Sequence, residues 1–248
     1  MNESYRHKEL LALLEERKAL STADIMQLLN ISPATARRDI SKLDGQGKLK
    51  KVRNGAEAIL APTFLQHTKI TNNAQEKRRI AEAAGRLCKD GESLILTCGS
   101  TMEMLGEVLC GRKLQIITNY LPLANQLIAG CHDDVVIMGG QYNKHKKVML
   151  SINTQNEMTY AATTMFTSGK GLTSEGLFKT DMIIANAEQQ MAKHAERYVV
   201  LLDSTKLGKK VGMLFKEFDK IDLLITDKEA DPTIIQALRN KGLDIILA

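Results

Sequence analysis

Polar and glycine-rich residues follow several apolar runs of this sequence, at the points where the runs end. The run Ser93–Cys98 predicts a buried strand, and it leads directly into Gly99-Ser100-Thr101 before a helical pattern begins. A glycine at a strand end lets the backbone approach a ligand, and free amides and hydroxyls at a helix start can cradle a phosphate. By itself, this pattern fits a tight turn with a capping serine equally well.

Three later clusters repeat the pattern after other predicted strands. They are Thr118-Asn119, Gly139-Gly140 and Asp203–Gly208, the last of which contains Lys206. Ligands of open, mostly parallel sheets bind beyond the carboxyl ends of the strands, so all four clusters lie where a ligand would bind. Together they predict a pocket for a small anion.

A second chemistry is indicated near the N-terminus, where Ser32-Pro33 predicts the start of a helix that reaches about Leu43. At about 100° per residue, Ala36, Ile40 and Leu43 form one apolar stripe. The opposite face carries short side chains and bases, which can contact base edges and phosphates in a major groove. Its members are Ala34, Thr35, Arg37, Arg38, Ser41 and Lys42. Asp39 borders the apolar stripe, so we expect a structural ion pair for it.

The net charge of +5 is concentrated in the stretch from Arg37 to Arg53, where seven bases stand against two acids and account for the whole excess. A localised basic stripe on a neutral body suggests an anionic polymer as partner. A predicted hairpin from Lys48 to Ile59, with its turn at Asn54-Gly55, contains four of these bases. They are Lys48, Lys50, Lys51 and Arg53. The helix start at Ser32 can also hold a phosphate. The alternative, a plain three-helix bundle, leaves the short-residue face beside a basic hairpin unexplained.

The composition is that of a soluble globular protein, with 44% hydrophobic residues in 248. Four cysteines without a C-x-x-C pair predict reduced, mostly buried thiols and a cytoplasmic location. No uncharged run approaches the roughly 20 residues of a membrane span, so neither a secreted nor a membrane protein is expected.

Two acidic clusters are interpreted as structural. His132-Asp133-Asp134 could suggest a metal, but three adjacent residues at a helix–strand junction are typical of a solvated turn. Asp181, Glu188 and Glu196 are interpreted as the exposed acidic face of a helix. No metal, no cofactor and no catalytic residue are predicted, because neither cluster offers a matched nucleophile and base.

The elements that position these residues divide the chain into two domains. Residues 1–59 predict helix, helix, tight turn, helix and basic hairpin, and residues 60–73 predict a linker. Residues 74–248 alternate strands and helices, which predicts a mostly parallel sheet covered on both faces. The predicted strands are Ser93–Cys98, Leu114–Thr118, Val135–Met138, Tyr198–Leu202, Ile221–Thr226 and Leu243–Leu247. The pattern from Gly139 to Lys179 leaves the elements there unassigned.

The segment ISPATARRDISKLDGQGKLKKVRNGAEAI resembles the winged helix-turn-helix of the DeoR-type bacterial transcriptional repressors, and the resemblance continues through nearly the whole chain. The residues that carry it are Ser32, Thr35, Arg37, Arg38, Asp39, Leu43, Gly47 and Gly55. The family's wing usually has two adjacent glycines, and this chain has Asn54-Gly55 there. The resemblance implies an N-terminal winged helix-turn-helix domain and an α/β sensor domain similar in fold to ribose-5-phosphate isomerase, with a phosphorylated sugar as effector.

The same resemblance implies roles for the residues of the pocket. Gly99, Ser100, Thr101 and Lys206 would hold the phosphate, while Asn119, Gly140 and the Phe166–Gly171 segment would border the sugar. Many members carry an acid where this chain has Lys170. That lysine suggests a second anionic feature on the ligand, such as the ionised enediol of phosphorylated ascorbate. The alternative is a surface lysine in a glycine-rich loop.

The first hypothesis is therefore a DNA-binding repressor that is not an enzyme. Its expected partners are double-stranded operator DNA, a phosphorylated sugar or sugar acid that releases it, and further copies of itself in a dimer or tetramer. The rival hypothesis is a sugar-phosphate isomerase-like enzyme with an accessory nucleic-acid-binding domain, against which the missing acid at Lys170 counts. A third is a nucleic-acid-binding scaffold with no ligand.

Overall fold

A computed structural model of the chain describes residues 3–58, 72–151, 161–193 and 195–248. The chain folds as two compact units, Met1–His67 and Thr68–Ala248. The predicted linker at 60–73 lies outside the described residues as far as residue 71, as does Ile59 at the end of the predicted hairpin. Asn72 and Asn73 are described, and both belong to the second unit.

In its described residues, 3–58, the first unit contains three helices and a small antiparallel sheet of order β1-β3-β2. Its elements are α1 Glu3–Arg17, β1 Ala19–Ser21, α2 Thr22–Leu29, α3 Pro33–Gly45, β2 Leu49–Val52 and β3 Gly55–Ala58. Ser21 caps α2 in a reciprocal capping box with Asp24, and Ser32 caps α3 with Pro33 at its first position. Helices α2 and α3 therefore begin where the local capping residues predict.

The core of the first unit lies under the apolar stripe of α3. Ala36, Ile40 and Leu43 are buried, as the helical spacing predicts, and they pack with Leu10 of α1 and Ile25 of α2. The stripe fixes the rotation of α3 about its axis, so the opposite face of this helix points to solvent.

The hairpin of β2 and β3, residues 49–58, is the wing of this unit, and it differs from the expected hairpin in two respects. The two turn residues are Arg53 and Asn54, with Asn54 at φ +66°, so the expectation of an Asn54-Gly55 turn is wrong by one position. Gly55 instead begins β3, where it pairs with Val52 and with Ser21. The strand that supplies Ser21 is only three residues long, too short to show an alternating pattern in the sequence.

The second unit is a three-layer α/β fold built on a parallel sheet of seven strands, in the order β15-β14-β12-β9-β4-β5-β6. Its helices are α4 Ala74–Leu87, α5 Ser100–Leu109, α6 Leu121–Ala129, α7 Met182–Ala192 and α8 Pro232–Asn240. Its strands are β4 Ser93–Leu96, β5 Gln115–Thr118, β6 Asp134–Ile137, β7 Gln141–Asn143, β8 Val148–Leu150, β9 Ala162–Thr167, β10 Gly171–Thr173, β11 Gly176–Lys179, β12 Ala195–Leu201, β13 Met213–Glu217, β14 Leu223–Thr226 and β15 Asp244–Leu247. All six predicted strands are present, with ends that differ from the prediction by at most three residues.

Successive residues of the parallel strands point to opposite faces of the sheet, and both faces are apolar. Leu94 and Leu96 of β4 lie in one core cluster with α4, α5 and α6, whereas Ile95 lies in the other with α7 and α8. Burial on both faces explains why these strands are continuous apolar runs rather than alternating ones.

The direction of winding reverses at the centre of the sheet. From β4 the chain adds β5 and β6 on one side, and then crosses to the other side of β4 to add β9, β12, β14 and β15. The carboxyl ends of β4 and β9 therefore form a topological switch point, where open α/β sheets leave a crevice for ligands. The segment that the sequence left unassigned supplies β9 of this pair, the β7-β8 hairpin, and strands β10 and β11. The last two join the later strand β13 in a small sheet of order β10-β11-β13.

Candidate nucleic-acid interface and anion cavity

The solvent-facing side of α3 carries the side chains expected there. Ala34, Arg37, Arg38, Ser41 and Lys42 are exposed. In the part of the chain that the structure describes, Arg37 and Arg38 make no ion pair, so both guanidinium groups are available to a partner. Lys42 pairs with the carboxylate of Glu3 on α1. This pairing is exposed and exchangeable, so it does not remove Lys42 from a phosphate-binding surface.

Hydrogen bonds between Ser32 and Thr35 occupy polar groups at the start of α3 that the sequence suggests are free. The Ser32 hydroxyl lies 2.9 Å from the Thr35 hydroxyl and accepts the Thr35 amide at 3.3 Å. Thr35 is half-buried. The expectation of a fully outward Thr35 is therefore only partly met, because the cap draws its hydroxyl toward Ser32.

The wing is joined to α3 by two hydrogen bonds. Lys51 donates its backbone amide to Asp44 at 2.8 Å and its ammonium to Ser41 at 2.9 Å. Lys48, Lys50 and Arg53 are exposed, and Lys50 stands 3.9 Å from the exposed carboxylate of Glu57. The helix face and the wing thus form one continuous basic surface.

Asp39 anchors α3 from the buried side. Its carboxylate accepts hydrogen bonds from Arg6 at 2.5 and 3.1 Å and lies 3.1 Å from the His7 ring. Burial opposes ionisation of this carboxyl, but the hydrogen bonds from Arg6 and His7 outweigh burial and hold its pKa below the ordinary value. The expected structural ion pair is confirmed.

The second unit contains a cavity of about 780 Å³ beyond the carboxyl ends of β4, β9 and β12, which are neighbours in the sheet. It is lined by residues that directly follow these strands. Gly99, Ser100 and Thr101 follow β4, Ser168, Gly169 and Lys170 follow β9, and Asp203, Thr205 and Lys206 follow β12. Five of the seven residues expected to bind the effector therefore meet in one place.

The β4 end offers backbone donors to this cavity. Gly99 caps α5 at φ +121°, a conformation that a side chain would strain, and Ser100 is the first residue of the helix. The first amides of a helix have no partner within it and carry the positive end of the helix dipole. An anion placed at Ser100 would satisfy them.

Lys206 is held in place by a buried carboxylate. Its ammonium lies 3.1 Å from Asp203, which is 1% exposed and also accepts hydrogen bonds from Asn73, at 3.0 Å, and from the Thr205 hydroxyl. Burial opposes ionisation of Asp203, yet these hydrogen bonds and the Lys206 charge keep its pKa below the ordinary value. An ionised Asp203 orients Lys206 toward the cavity.

Lys77 is a cavity residue that the sequence analysis missed. It lies on α4, is buried, and donates its ammonium to the carbonyl oxygen of Asn72 at 2.6 Å. Burial lowers its pKa, and the nearby charges of Lys206 and Lys170 lower it further. Three lysines converging on one cavity repel one another, and a bound polyanion would relieve that repulsion. A helical lysine carries no signal in the sequence, because most such residues are solvated.

Two expected effector contacts lie elsewhere in the fold. Asn119 is buried and donates its side-chain amide to the Met149 carbonyl oxygen at 3.2 Å. Gly140 has φ +140°, and a Cβ there would stand 2.0 Å from the Leu150 carbonyl oxygen. Neither residue lines the cavity. Their positions indicate that they hold the β7-β8 hairpin, so their role toward an effector stays a prediction.

The expected acidic face of α7 is wrong. Glu188 is 1% exposed and pairs with the buried Lys179 at 2.6 Å, both of them lining the cavity. Asp181 caps the start of α7 by accepting two backbone amides, and Glu196 lies in β12. Helical spacing cannot show which face of a helix packs on a sheet when the charged residue is itself buried with a partner.

The remaining candidates are structural. His132 is buried, accepts the Gly111 amide at 3.1 Å and lies 2.9 Å from the Leu114 carbonyl oxygen, so the solvated turn expected there is wrong for this residue. The four cysteines are free, and only Cys88 is fully buried while Cys131 is exposed. Across the described residues, no cluster of side chains has the composition of a metal site. No helix among them has the length and apolar character to cross a bilayer.

Both units match family models over most of their length. Residues 6–61 match the DeoR-like helix-turn-helix domain, and residues 72–228 match the DeoR C terminal sensor domain. A helix-turn-helix domain and a sensor domain in one chain define a transcriptional regulator. The chain belongs to the DeoR family of DNA-binding transcriptional regulators.

The curated relatives agree with this assignment over the full length. The HTH-type transcriptional regulator UlaR of Shigella sonnei is 52% identical over 252 residues, which cover 99% of this chain and 99% of the relative. UlaR of Escherichia coli K12 has the same identity and coverage. These relatives are regulators rather than enzymes, as the sequence analysis expects of this chain.

Among solved structures, ribose 5 phosphate isomerase A from Neisseria gonorrhoeae is 19% identical, with a TM-score of 0.43 over 56% of each chain. The eIF2B beta subunit from Chaetomium thermophilum is 14% identical, with a TM-score of 0.41 over 60% of this chain and 48% of that one. Likenesses at this level carry no argument about activity.

Proposed function

We propose that this protein represses a carbohydrate-utilisation operon and leaves its operator when a phosphorylated sugar or sugar acid binds the cavity of the second unit. The observation that carries the proposal is the convergence of Lys77, Lys170 and Lys206 with the start of α5 in one cavity. Helix amides and several ammonium groups around one point are the arrangement that binds a phosphate.

The operator would bind the basic surface of the first unit. In this proposal Arg37 and Arg38 reach base edges from α3, together with the short side chains of Ala34, Thr35 and Ser41. The remaining bases contact the phosphate backbone and set the register of α3 in the groove. They are Lys42, Lys48, Lys50, Lys51 and Arg53, with the helix start at Ser32 as a further phosphate site.

The effector class follows from the number of cations in the cavity. A phosphate monoester is served by Ser100, Thr101 and Lys206, with Gly99 allowing close approach. Lys170, which is exposed at the cavity wall, is available to a second negative feature such as an ionised enediol. Segments of this chain resemble the L-ascorbate utilisation repressor, so an ascorbate-6-phosphate-like compound is the effector to test first.

The test is an operator-release titration. Purified protein bound to labelled operator DNA is titrated with L-ascorbate 6-phosphate, and thermal shift measures its stability in parallel, because a ligand of the folded state raises the melting temperature by mass action. Release together with stabilisation supports the proposal. If no phosphorylated sugar or sugar acid raises the melting temperature, the proposal is refuted.

The protein would act in the cytoplasm as a homo-oligomer, since helix-turn-helix repressors commonly place two copies on the half-sites of one operator. Light scattering coupled to size exclusion separates a dimer from a tetramer. We also expect no turnover of ribose 5-phosphate in a progress curve. Sustained product formation that Lys206→Ala abolishes would favour an enzyme instead.

A further inference from the structure

The cavity has two chemically different parts. Lys77, Lys170 and Lys206 form a cationic part, in which burial and the charges of Lys206 and Lys170 lower the pKa of Lys77. A second part is formed by Lys179, Glu188 and Cys98, and it contains a buried ion pair, with the Lys179 and Glu188 side chains 7% and 2% exposed. The phosphate-binding role proposed above uses only the first part.

The polar groups of the buried part are nearly, but not fully, satisfied. Lys179 donates to Glu188 at 2.6 Å and to the Thr167 hydroxyl at 3.0 Å, and it lies 4.5 Å from the centre of the Phe215 ring. Oε2 of Glu188 accepts the Lys179 ammonium and the Thr167 hydroxyl. Lys179 therefore has two hydrogen-bond partners and a ring contact, and one oxygen of Glu188 has two donors.

The second oxygen of Glu188 is left with a weak donor. Among the described residues, Oε1 receives only the thiol of Cys98, at a sulfur–oxygen distance of 3.6 Å. A thiol is a poor donor, and burial raises the pKa of Cys98 to about 12, with the Glu188 charge adding to the effect, so it stays protonated. A buried carboxylate oxygen that faces a cavity with such a partner has unused accepting capacity.

We propose that Oε1 of Glu188 binds a hydroxyl of the effector and makes the cavity selective for polyhydroxylated phosphates over phosphate alone. This inference rests on the proposed function. Lys179 and Thr167 are positioning residues in it, because they hold the carboxylate while the effector hydroxyl replaces or supplements the Cys98 thiol.

The two parts lie within reach of one small molecule. Cys98, which touches Glu188, is two residues from Ser100, which begins α5, so their Cα atoms are at most about 7 Å apart. A six-carbon phosphate monoester can therefore place its phosphate at the start of α5 and a hydroxyl at Glu188. The cavity volume of about 780 Å³ accommodates such a ligand.

The experiment measures selectivity rather than affinity alone. Calorimetry gives dissociation constants for L-ascorbate 6-phosphate, n-hexyl phosphate and inorganic phosphate with the wild-type chain and with Glu188→Gln. We expect the preference for L-ascorbate 6-phosphate over n-hexyl phosphate to fall about tenfold or more in Glu188→Gln, because a charge-assisted hydrogen bond is lost. Affinity for inorganic phosphate should be unchanged. Glu175→Gln, an exposed carboxylate paired with Lys210 outside the cavity, is the matched control and should keep the preference.

A double variant separates recognition from folding. Lys179→Met with Glu188→Leu removes both buried charges together, which proteins often tolerate better than the loss of one partner. It should keep wild-type binding of inorganic phosphate and lose the preference for the hydroxylated ligand. An unchanged preference in either variant overturns the inference. Absence of phosphate-monoester binding in the wild-type protein would instead refute the proposed function.

Discussion

The two basic regions of this chain hold their positive charges in different physical settings. On α3 and the wing, Arg37, Arg38 and Lys48 extend into water, and within the described residues none of them has an ion-pair partner. In the second unit, Lys77 is buried, and its neighbours Lys170 and Lys206 carry like charge. The first arrangement suits a long polyanion, and the second suits a compact one.

Burial makes charged side chains more selective for the anion that they bind. Exposed charges interact through water and salt, so they attract any nucleic acid and leave discrimination to base-edge contacts. Crowded, desolvated charges are costly without a ligand, so they favour an anion that fits the cavity.

Salt should affect the two sites very differently. We expect operator affinity to fall by about 10³-fold or more between 50 and 200 mM salt, because binding releases counterions from the DNA and this release becomes less favourable as salt rises. Effector affinity in the same range should fall by less than about tenfold, because buried charges are screened less. Fluorescence anisotropy and calorimetry over the salt series measure the two slopes. Equal slopes would remove the contrast between the regions.

Within the DNA-binding surface, the α3 arginines should matter for sequence and the wing lysines for charge. Arg37→Ala or Arg38→Ala should cost roughly 1–3 kcal/mol on the operator and much less on scrambled DNA. Lys50→Ala on the wing is the comparison variant. It should weaken binding to both DNAs alike and reduce the slope of log affinity against log salt by about 1. Fluorescence anisotropy titrations measure the affinity of each variant for operator and for scrambled DNA. Equal losses for the arginine variants on the two DNAs would place them on phosphates instead.

In the cavity, removal of one ammonium group should weaken release without affecting DNA binding. Lys206→Met should bind operator like the wild type and need about tenfold more effector for release, since a charge-assisted contact to phosphate is lost. Lys77→Met should act in the same direction. Ser100→Ala should have a smaller effect, because it removes a neutral donor.

Circular dichroism and an operator titration without effector are the controls for these cavity variants. Release of Lys206→Met at the wild-type effector concentration would show that the phosphate binds away from this lysine. If Lys206→Met is folded but does not bind operator, Lys206 stabilises the conformation of the protein that binds DNA.

The anchor of α3 should make the first unit sensitive to acid. The pKa of Asp39 is lowered in the folded state, so its contribution to stability is present above the unfolded value of about 3.9 and is lost as pH falls through the lower folded value. Asp39→Asn should lower the free energy of unfolding at pH 7 by about 1–3 kcal/mol, and its difference from wild type should shrink toward pH 2.

Hydrogen exchange at α1 and α3 amides of the full chain measures this loss in the first unit alone. Asp133→Asn, which changes an exposed carboxylate of the second unit, should leave exchange there unchanged. If the stability difference between Asp39→Asn and wild type is the same at every pH, the carboxylate charge of Asp39 is not its cause, and altered packing is.

The features that the sequence alone determined are local ones. The cap at Ser32, the stripe of Ala36, Ile40 and Leu43, and the apolar strand before Gly99 each depend on residues within about ten positions. Helix and strand periods act over such distances, so the solvent-facing side of α3, six of the strands of the parallel sheet and the glycine-rich strand end could be predicted. The strand β1 could not, because three residues carry no period and pair only when β3 is present.

The composition of the cavity was decided by the tertiary structure. Lys77 and Lys206 are 129 positions apart, and they meet because α4 and the end of β12 lie at the same edge of the sheet. Glu188 has the spacing of a surface acid, and it is buried because Lys179 at the end of β11 supplies its counter-charge. A charged side chain enters a core only with its partner, and which residue becomes the partner depends on strand order, which no local pattern encodes.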